Sequence, residues 1–203
     1  MTKIKLCGLS RQCDIEWANE LKPDYIGFIF WSKSKRNVSP EKARELKALL
    51  SPDIKAVGVF VNEPVENVAE LLGNNIIDVA QLHGSEDEGY IAKLRTLSDK
   101  PIIKAFLLKS KDDAKTAEKS TADYIMLDSG TGTGKSFDWN LLHEIKRPYF
   151  LAGGLYPENV ADAIDKLSPF AVDVSSGIET DNFKDRNKMT AFVKAVRKEA
   201  NND

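Results

Sequence analysis

The sequence predicts an α/β protein that folds as a single (β/α)₈ TIM barrel. Short runs rich in Val, Ile, Phe and Ala alternate with longer segments of helical periodicity, the pattern of repeated βα units around a parallel sheet. The apolar runs lie at 4–7, 25–30, 56–61, 78–82, 102–106, 124–128, 149–152 and 171–175. Eight such runs are the number of strands that closes this barrel.

Prolines indicate where several of the intervening helices begin. Pro40, Pro64 and Pro157 each stand where a first helical residue is expected, a position at which the missing N–H costs no hydrogen bond. We therefore expect a helix after every strand. The last strand is also followed by a helical segment at the end of the chain, which favours a closed barrel over the alternative, an open doubly wound sheet.

Length and composition favour one domain. The chain has 203 residues, of which 42% are apolar, and about 200 residues is the lower limit for a complete eight-unit barrel. Its alternation of strands and helices is not interrupted by a Pro-rich, Ser-rich or single-charge segment. We interpret residues 1–203 as a single barrel domain.

The charge balance, the residues after Met1 and the length of the apolar runs indicate which partners are not expected. Lys and Arg number 29 against 31 Asp and Glu, so we do not expect nucleic acid as a partner. A strand-like segment follows Met1 directly in place of a signal peptide, and the sequence contains no apolar run long enough to span a bilayer. We expect a cytoplasmic protein without membrane association, while these patterns set no oligomeric state.

Candidate functional residues follow the strands, because barrel active sites form at the carboxyl ends of the strands. Cys7 ends the first strand and Asp128 ends the sixth. The second strand leads into the basic segment SKSKR at 32–36, and the fourth leads into QLHG at 81–84. We expect all of these residues to face one mouth. The two cysteines lack the His and Cys spacing of a zinc site, so we interpret them as free thiols and expect no metal.

The ends of the seventh and eighth strands are typical of a phosphate site. The residues that we expect to bind phosphate are Gly153, Gly154, Ser175, Ser176 and Gly177. Glycine lets the backbone N–H groups approach phosphate oxygens closely. These ends predict a small phosphorylated substrate. They also occur in other phosphosugar barrels, and they would suit a module that binds phosphate without catalysing a reaction.

Strand alternation predicts an ion pair inside the barrel. Lys5 shares a strand face with Cys7, and Asp173 shares a face with Ser175. The first and eighth strands are neighbours in a closed barrel. We therefore expect Lys5 and Asp173 to pair beneath the mouth.

Eight segments together resemble one known family. They are KLCGL at 5–9, DYIGF at 24–28, SKSKR at 32–36, VGVFVN at 57–62, QLHG at 81–84, GTGKSFDW at 132–139, AGGL at 152–155 and DVSSGIE at 173–179. Each segment alone is weakly specific, but their order and their spread over nearly the whole chain resemble phosphoribosylanthranilate isomerase of tryptophan biosynthesis.

This resemblance implies an activity and residue roles. The family isomerises N-(5-phosphoribosyl)anthranilate to 1-(2-carboxyphenylamino)-1-deoxyribulose 5-phosphate by an Amadori rearrangement, without a cofactor. Cys7 would be the general base and Asp128 the general acid. Arg36 has the planar guanidinium that suits the aromatic carboxylate of the substrate. His83 is either a substrate contact or a hydrogen-bonded structural residue.

The chain departs from the family pattern at two places. The loop after Asp128 is shorter than usual, with Thr131 at a position where glycine is common. Asn182 also replaces a common glycine, and asparagine tolerates the left-handed backbone that glycine adopts. We expect the proposed acid and base to be unaffected by these changes.

Overall fold

Eight parallel strands close into a barrel in the computed structural model, which describes residues 1–128 and 145–199. The strands are β1 (Lys3–Cys7), β2 (Tyr25–Ile29), β3 (Lys55–Phe60), β4 (Val79–Leu82), β5 (Ile102–Leu107), β6 (Tyr124–Asp128), β7 (Tyr149–Ala152) and β8 (Ala171–Val174). Each strand pairs with its neighbours in chain order, and β8 pairs back onto β1. The predicted closed barrel is confirmed, and every predicted strand end lies within one residue of the observed end.

Seven helices in the described part of the chain surround this barrel. They are α1 (Gln12–Leu21), α2 (Pro40–Ala48), α3 (Val65–Gly73), α4 (Glu88–Leu97), α5 (Lys111–Glu118), α6 (Val160–Leu167) and α7 (Arg186–Glu199). A helix follows every strand except β6, after which residues 129–144 lie outside the described residues. Of the helices described, none is long and apolar enough to cross a membrane.

Two of the three proline-based predictions of helix starts need correction. Pro40 is the first residue of α2, as predicted, and the Ser39 hydroxyl caps this helix by accepting from the backbone N–H of Lys42 at 3.2 Å. Pro64 instead precedes α3 as its N-cap residue. Its fixed φ suits this position as well, because the residue that caps a helix also needs no N–H donor.

The third prediction, that Pro157 begins a helix, is wrong because a turn comes first. Helix α6 begins at Val160. The Asn159 side chain accepts from the backbone N–H of Tyr156 and donates to the carbonyl of Gly154, both at 2.9 Å. These two hydrogen bonds hold residues 154–159 in a turn and delay the helix by three residues.

Apolar side chains fill two separate layers, as strand alternation requires. One layer lies between the outer faces of the strands and the helices. The other fills the barrel interior with Tyr25, Val57, Val79, Ile103, Ala105, Met126, Phe150, Ala152 and Ala171. Aromatic rings contact one another in this interior layer, and Tyr25 meets Phe150 edge to face at 5.4 Å between centroids. The interior layer packs the barrel beneath its mouth.

The predicted ion pair between Lys5 and Asp173 is confirmed. These residues are register partners on β1 and β8, and Lys5 Nζ lies 2.6 Å from Asp173 Oδ1. Lys5 is completely buried. Desolvation lowers the pKa of Lys5, but the attraction of Asp173 and Cys7 outweighs this effect and raises the pKa overall. The ammonium therefore stays charged inside the barrel.

A short hairpin that the sequence did not predict follows β8. A single 3₁₀ turn (Ser176–Ile178) leads into β9 (Glu179–Thr180), which pairs antiparallel with β10 (Phe183–Lys184). The two residues between these strands, Asp181 and Asn182, have φ values of 51° and 67°. Positive φ at both central residues is the requirement of a type I′ turn, and Asn and Asp meet it better than most side chains. Asn182 therefore replaces glycine without losing the turn.

We predict that Lys5→Met destabilises the protein strongly, by about 3 to 5 kcal/mol, because it leaves the Asp173 carboxylate buried without its partner. Urea unfolding followed by circular dichroism measures this change. The control is Lys42→Met, which removes an exposed lysine paired with Glu45 at 3.1 Å and should cost less than about 1 kcal/mol. Equal effects of the two substitutions would contradict the prediction.

Candidate active site

A cavity of about 350 Å³ opens at the carboxyl ends of the strands. Its lining includes eight of the nine site residues that the sequence predicted: Cys7, Arg36, His83, Asp128, Gly153, Gly154, Ser175 and Ser176. Gly177 does not line the cavity. The barrel thus gathers residues from six separate strand ends into one volume large enough for a small molecule.

Cys7 has room at this mouth because two neighbouring positions are glycine. A Cβ atom at Gly27, its register partner on β2, would lie 2.7 Å from Cys7 Sγ. Gly8 has a φ of +79°, and a Cβ atom there would lie 2.6 Å from Arg36 Cδ. Any side chain at either position would displace the thiol or the arginine. Sequence reasoning included both glycines in motifs but did not explain them.

Burial dominates the electrostatics of Cys7. Desolvation raises the pKa of the thiol, and the nearby cations Lys5 and Lys184 oppose this shift without cancelling it. The charge of Asp173 adds to the increase. The free protein therefore holds Cys7 largely as a thiol at neutral pH, with two ammonium groups that stabilise the thiolate when it forms.

Asp128 ends β6 and belongs to a chain of polar contacts. His83 Nε2 lies 3.3 Å from Asp128 Oδ2, and His83 Nδ1 lies 2.8 Å from Nε2 of the buried Gln81 side chain. His83 therefore contacts the predicted acid directly.

The predicted acid and base approach the cavity from different sides. In the closed strand order, β7 and β8 separate β6 from β1 on the shorter path around the barrel. Asp128 and Cys7 both line the cavity. A ligand between them could receive a proton on one side and lose one on the other.

Arg36 lies in a cluster of charges that the sequence only partly indicated. Glu179 accepts from Arg36 Nε at 2.5 Å and from Arg36 Nη2 at 2.6 Å, and it also accepts from Lys184 Nζ at 2.6 Å. Burial alone would raise the pKa of Glu179, but the hydrogen bonds from both cations lower it overall. Lys184 was not foreseen, because only the two-residue hairpin strands bring it back to the mouth.

Glycines shape the loops after β7 and β8. Gly153 and Gly154 have φ values of 88° and 64°, and a Cβ atom added to Gly154 would meet open space. A Cβ atom at Gly177 would lie 2.0 Å from the carbonyl oxygen of Leu155. Gly177 thus allows the 3₁₀ turn to pack against the β7 loop, behind the residues that line the cavity.

Two further predictions concern metals and the loop after β6. In residues 1–128 and 145–199 there is no group of three or more His, Cys, Asp and Glu side chains that could hold a metal ion. Thr131 and the motif at 132–139 lie outside the described residues.

The closed barrel and its mouth define a class of protein, the (β/α)₈ barrels that hold a small ligand between strand ends and glycine-rich turns. The chain matches the family model described as N-(5'phosphoribosyl)anthranilate (PRA) isomerase over residues 4–195. A relative from Clostridium acetobutylicum named N-(5'-phosphoribosyl)anthranilate isomerase is 47% identical over 207 residues, which cover 98% of this chain and 99% of the relative.

Solved structures agree with this match. Phosphoribosyl anthranilate isomerase from Thermotoga maritima has 37% sequence identity and a TM-score of 0.88, covering 98% of this chain and all of that chain. Another structure, of the isomerase in complex with reduced 1-(o-carboxyphenylamino)-1-deoxyribulose 5-phosphate, has 35% identity and a TM-score of 0.85 over 98% of this chain and 100% of that chain. The chain belongs to the N-(5'-phosphoribosyl)anthranilate isomerase family of aldose–ketose isomerases.

We predict that Cys7 reacts with iodoacetamide more slowly than an ordinary cysteine, with a rate that is still rising with pH above about 8.5, the ordinary pKa of a thiol. The raised pKa of Cys7 moves thiolate formation to higher pH. Mass spectrometry of a Cys13→Ala variant isolates Cys7. Unfolding the same variant in urea supplies the control, and an equal midpoint in the two states would contradict the prediction.

Proposed function

We propose that this protein converts N-(5-phosphoribosyl)anthranilate to 1-(2-carboxyphenylamino)-1-deoxyribulose 5-phosphate by an Amadori rearrangement, as a step of tryptophan biosynthesis. The observation that carries the proposal is that Cys7 and Asp128 line one cavity from different sides, in a chain that belongs to this isomerase family. The ligand named for the solved relative is a reduced form of the same product. The reaction moves hydrogen within one molecule, so it needs no redox cofactor.

Asp128 acts first, as the general acid. Its proton goes to the furanose ring oxygen as the C1–O bond breaks, and the nitrogen lone pair forms the C1=N bond of a Schiff base. The contact between His83 Nε2 and Asp128 Oδ2 supports this role, because it fixes the direction in which the carboxyl group points. A fixed acid within hydrogen-bond reach is what general acid catalysis requires.

Cys7 acts second, as the general base. The thiol first loses its proton to solvent, and the thiolate then removes the C2 proton. The electrons of the C2–H bond form a C1–C2 double bond as the iminium nitrogen becomes neutral. The resulting enolamine tautomerises to the ketone at C2. The ammonium groups of Lys5 and Lys184 favour the thiolate, and both lie on the Cys7 side of the cavity. Their charge also balances part of the negative charge that the substrate brings.

The substrate phosphate is expected to bind opposite the reacting carbons. Gly153 and Gly154 after β7 and Ser175 and Ser176 after the neighbouring strand β8 all border the cavity. Both glycines have positive φ and no side chain, so phosphate oxygens can approach their backbone N–H groups closely. Gly177 contributes by allowing the two loops to approach each other. Arg36, at the same mouth, is the residue that we assign to the anthranilate carboxylate.

We predict that Cys7→Ser and Asp128→Asn each lower kcat by about 100-fold to 10,000-fold, because each removes a group that transfers a proton. The assay is the loss of substrate fluorescence on incubation with purified protein, and circular dichroism checks that each variant folds. Cys13→Ala is the matched control, since Cys13 does not line the cavity. Activity that survives both substitutions would refute the mechanism, and an inactive wild-type protein would favour a phosphate-binding module.

We predict that His83→Ala lowers kcat about tenfold or more, with a smaller effect on KM, because it removes the contact that orients Asp128. Steady-state kinetics of the same fluorescence assay separates the two parameters. His83→Ala should cost little further activity when Asp128 is already Asn, since both residues then act on the same step. Independent, multiplicative losses in the double variant would show that His83 has a separate role.

A further inference from the structure

Glu179 is a buried carboxylate that the proposed mechanism does not use. Its side chain is 7% exposed and lies between two cations, the Arg36 guanidinium and the Lys184 ammonium. The Lys184 side chain is 1% exposed and also donates to the carbonyl of Ser175 at 2.9 Å. A buried charged group costs free energy unless it is paired, and this carboxylate has three hydrogen bonds from the two cations.

The geometry of the contact leaves one edge of Arg36 available. A guanidinium presents five N–H donors in a planar fork, and a carboxylate can bind along either of two edges. Glu179 occupies the edge formed by Nε and Nη2. The other edge, formed by Nη1 and Nη2, donates to no second acceptor among residues 1–128 and 145–199, and Arg36 lines the cavity.

Other contacts fix the arginine in the same place. The backbone N–H of Arg36 donates to Ser34 Oγ at 3.1 Å. The side-chain stem crosses Gly8 so closely that a Cβ atom there would lie 2.6 Å from Arg36 Cδ. The guanidinium is therefore held at its backbone, along its stem and at one edge, and its remaining edge has a fixed direction.

The charges of the cluster favour an incoming anion. Arg36 and Lys184 are cationic and Glu179 is anionic, so the three side chains carry one net positive charge. Without Lys184, the Arg36–Glu179 pair would be neutral, and Glu179 would repel a second carboxylate that approached the arginine. Lys184 thus allows the Arg36 guanidinium to bind a second carboxylate while it is paired with Glu179.

We propose that Glu179, supported by Lys184, positions the Arg36 guanidinium so that its second edge binds the aromatic carboxylate, and that this positioning sets the selectivity for carboxylated substrates. This inference rests on the proposed function. A purely structural role for Glu179 in the hairpin would need only its contact with Lys184, whereas the two bonds to Arg36 reach 143 residues along the chain to the cavity lining.

The test compares two substrates that differ only in the carboxylate, N-(5-phosphoribosyl)anthranilate and N-(5-phosphoribosyl)aniline. The measured quantity is the ratio of their kcat/KM values, which cancels general losses of activity. In Glu179→Gln we expect this ratio to fall about tenfold or more, mainly through KM for the carboxylated substrate, as the loss of one charged hydrogen bond predicts. The matched control is Glu20→Gln, which breaks an exposed Glu–Arg pair with Arg186 and should leave the ratio unchanged.

Arg36→Lys provides a second, independent variant, because it keeps the charge but cannot bind two carboxylates along two edges. It should lower the ratio as Glu179→Gln does, so an unchanged ratio in Arg36→Lys would overturn the inference even if Glu179→Gln does not fold. An unchanged ratio in either folded variant, or equal losses for both substrates, would overturn the inference. A wild-type protein that turns over neither substrate would instead refute the proposed function.

Discussion

Barrel closure between β1 and β8 is the constraint on which the site depends. Lys5 and Asp173 are register partners at this seam, and their ion pair is buried. Cys7 lies two residues beyond Lys5 on the same face, and Ser175 lies two residues beyond Asp173. The Ser175 hydroxyl donates to the carbonyl of Cys7 at 3.2 Å. A slip in this register would move the thiol to the outside of the barrel and separate it from the phosphate loops.

Two buried ion pairs lie near the mouth, and in each of them the cation lowers the pKa of the Cys7 thiol. Lys5 is paired with Asp173, and Lys184 shares Glu179 with Arg36, so each cation near the thiol has a carboxylate partner. Their charges therefore favour the thiolate without leaving an isolated buried ion, which would cost several kcal/mol (roughly 3 to 5 for an unpaired partner). The pKa of Cys7 stays raised because burial still dominates.

Most of the fold and much of the site could be predicted from sequence for one reason. Parallel strands buried on both faces read as continuous apolar runs, and their carboxyl ends must meet. The residues Glu179 and Lys184 escaped prediction because two-residue strands show no periodicity, and because their pairing depends on left-handed backbone at Asp181 and Asn182. The prediction that a helix begins at Pro157 failed for a related reason, because the side chain of Asn159 forms a local turn that competes with the helix.

The hairpin at 179–184 separates the residues that orient Arg36 from the residues proposed to transfer protons. The groups proposed to move protons lie on β1 and β6, whose positions the barrel fixes through sheet pairing on both sides. The groups that orient Arg36 lie on a separate hairpin near the end of the chain, which pairs only with itself. A hairpin of different sequence could thus be exchanged without disturbing the strands. A hairpin that keeps Lys184 near Cys7 but replaces Glu179 could therefore change which aglycone is accepted while the groups that favour the thiolate are retained.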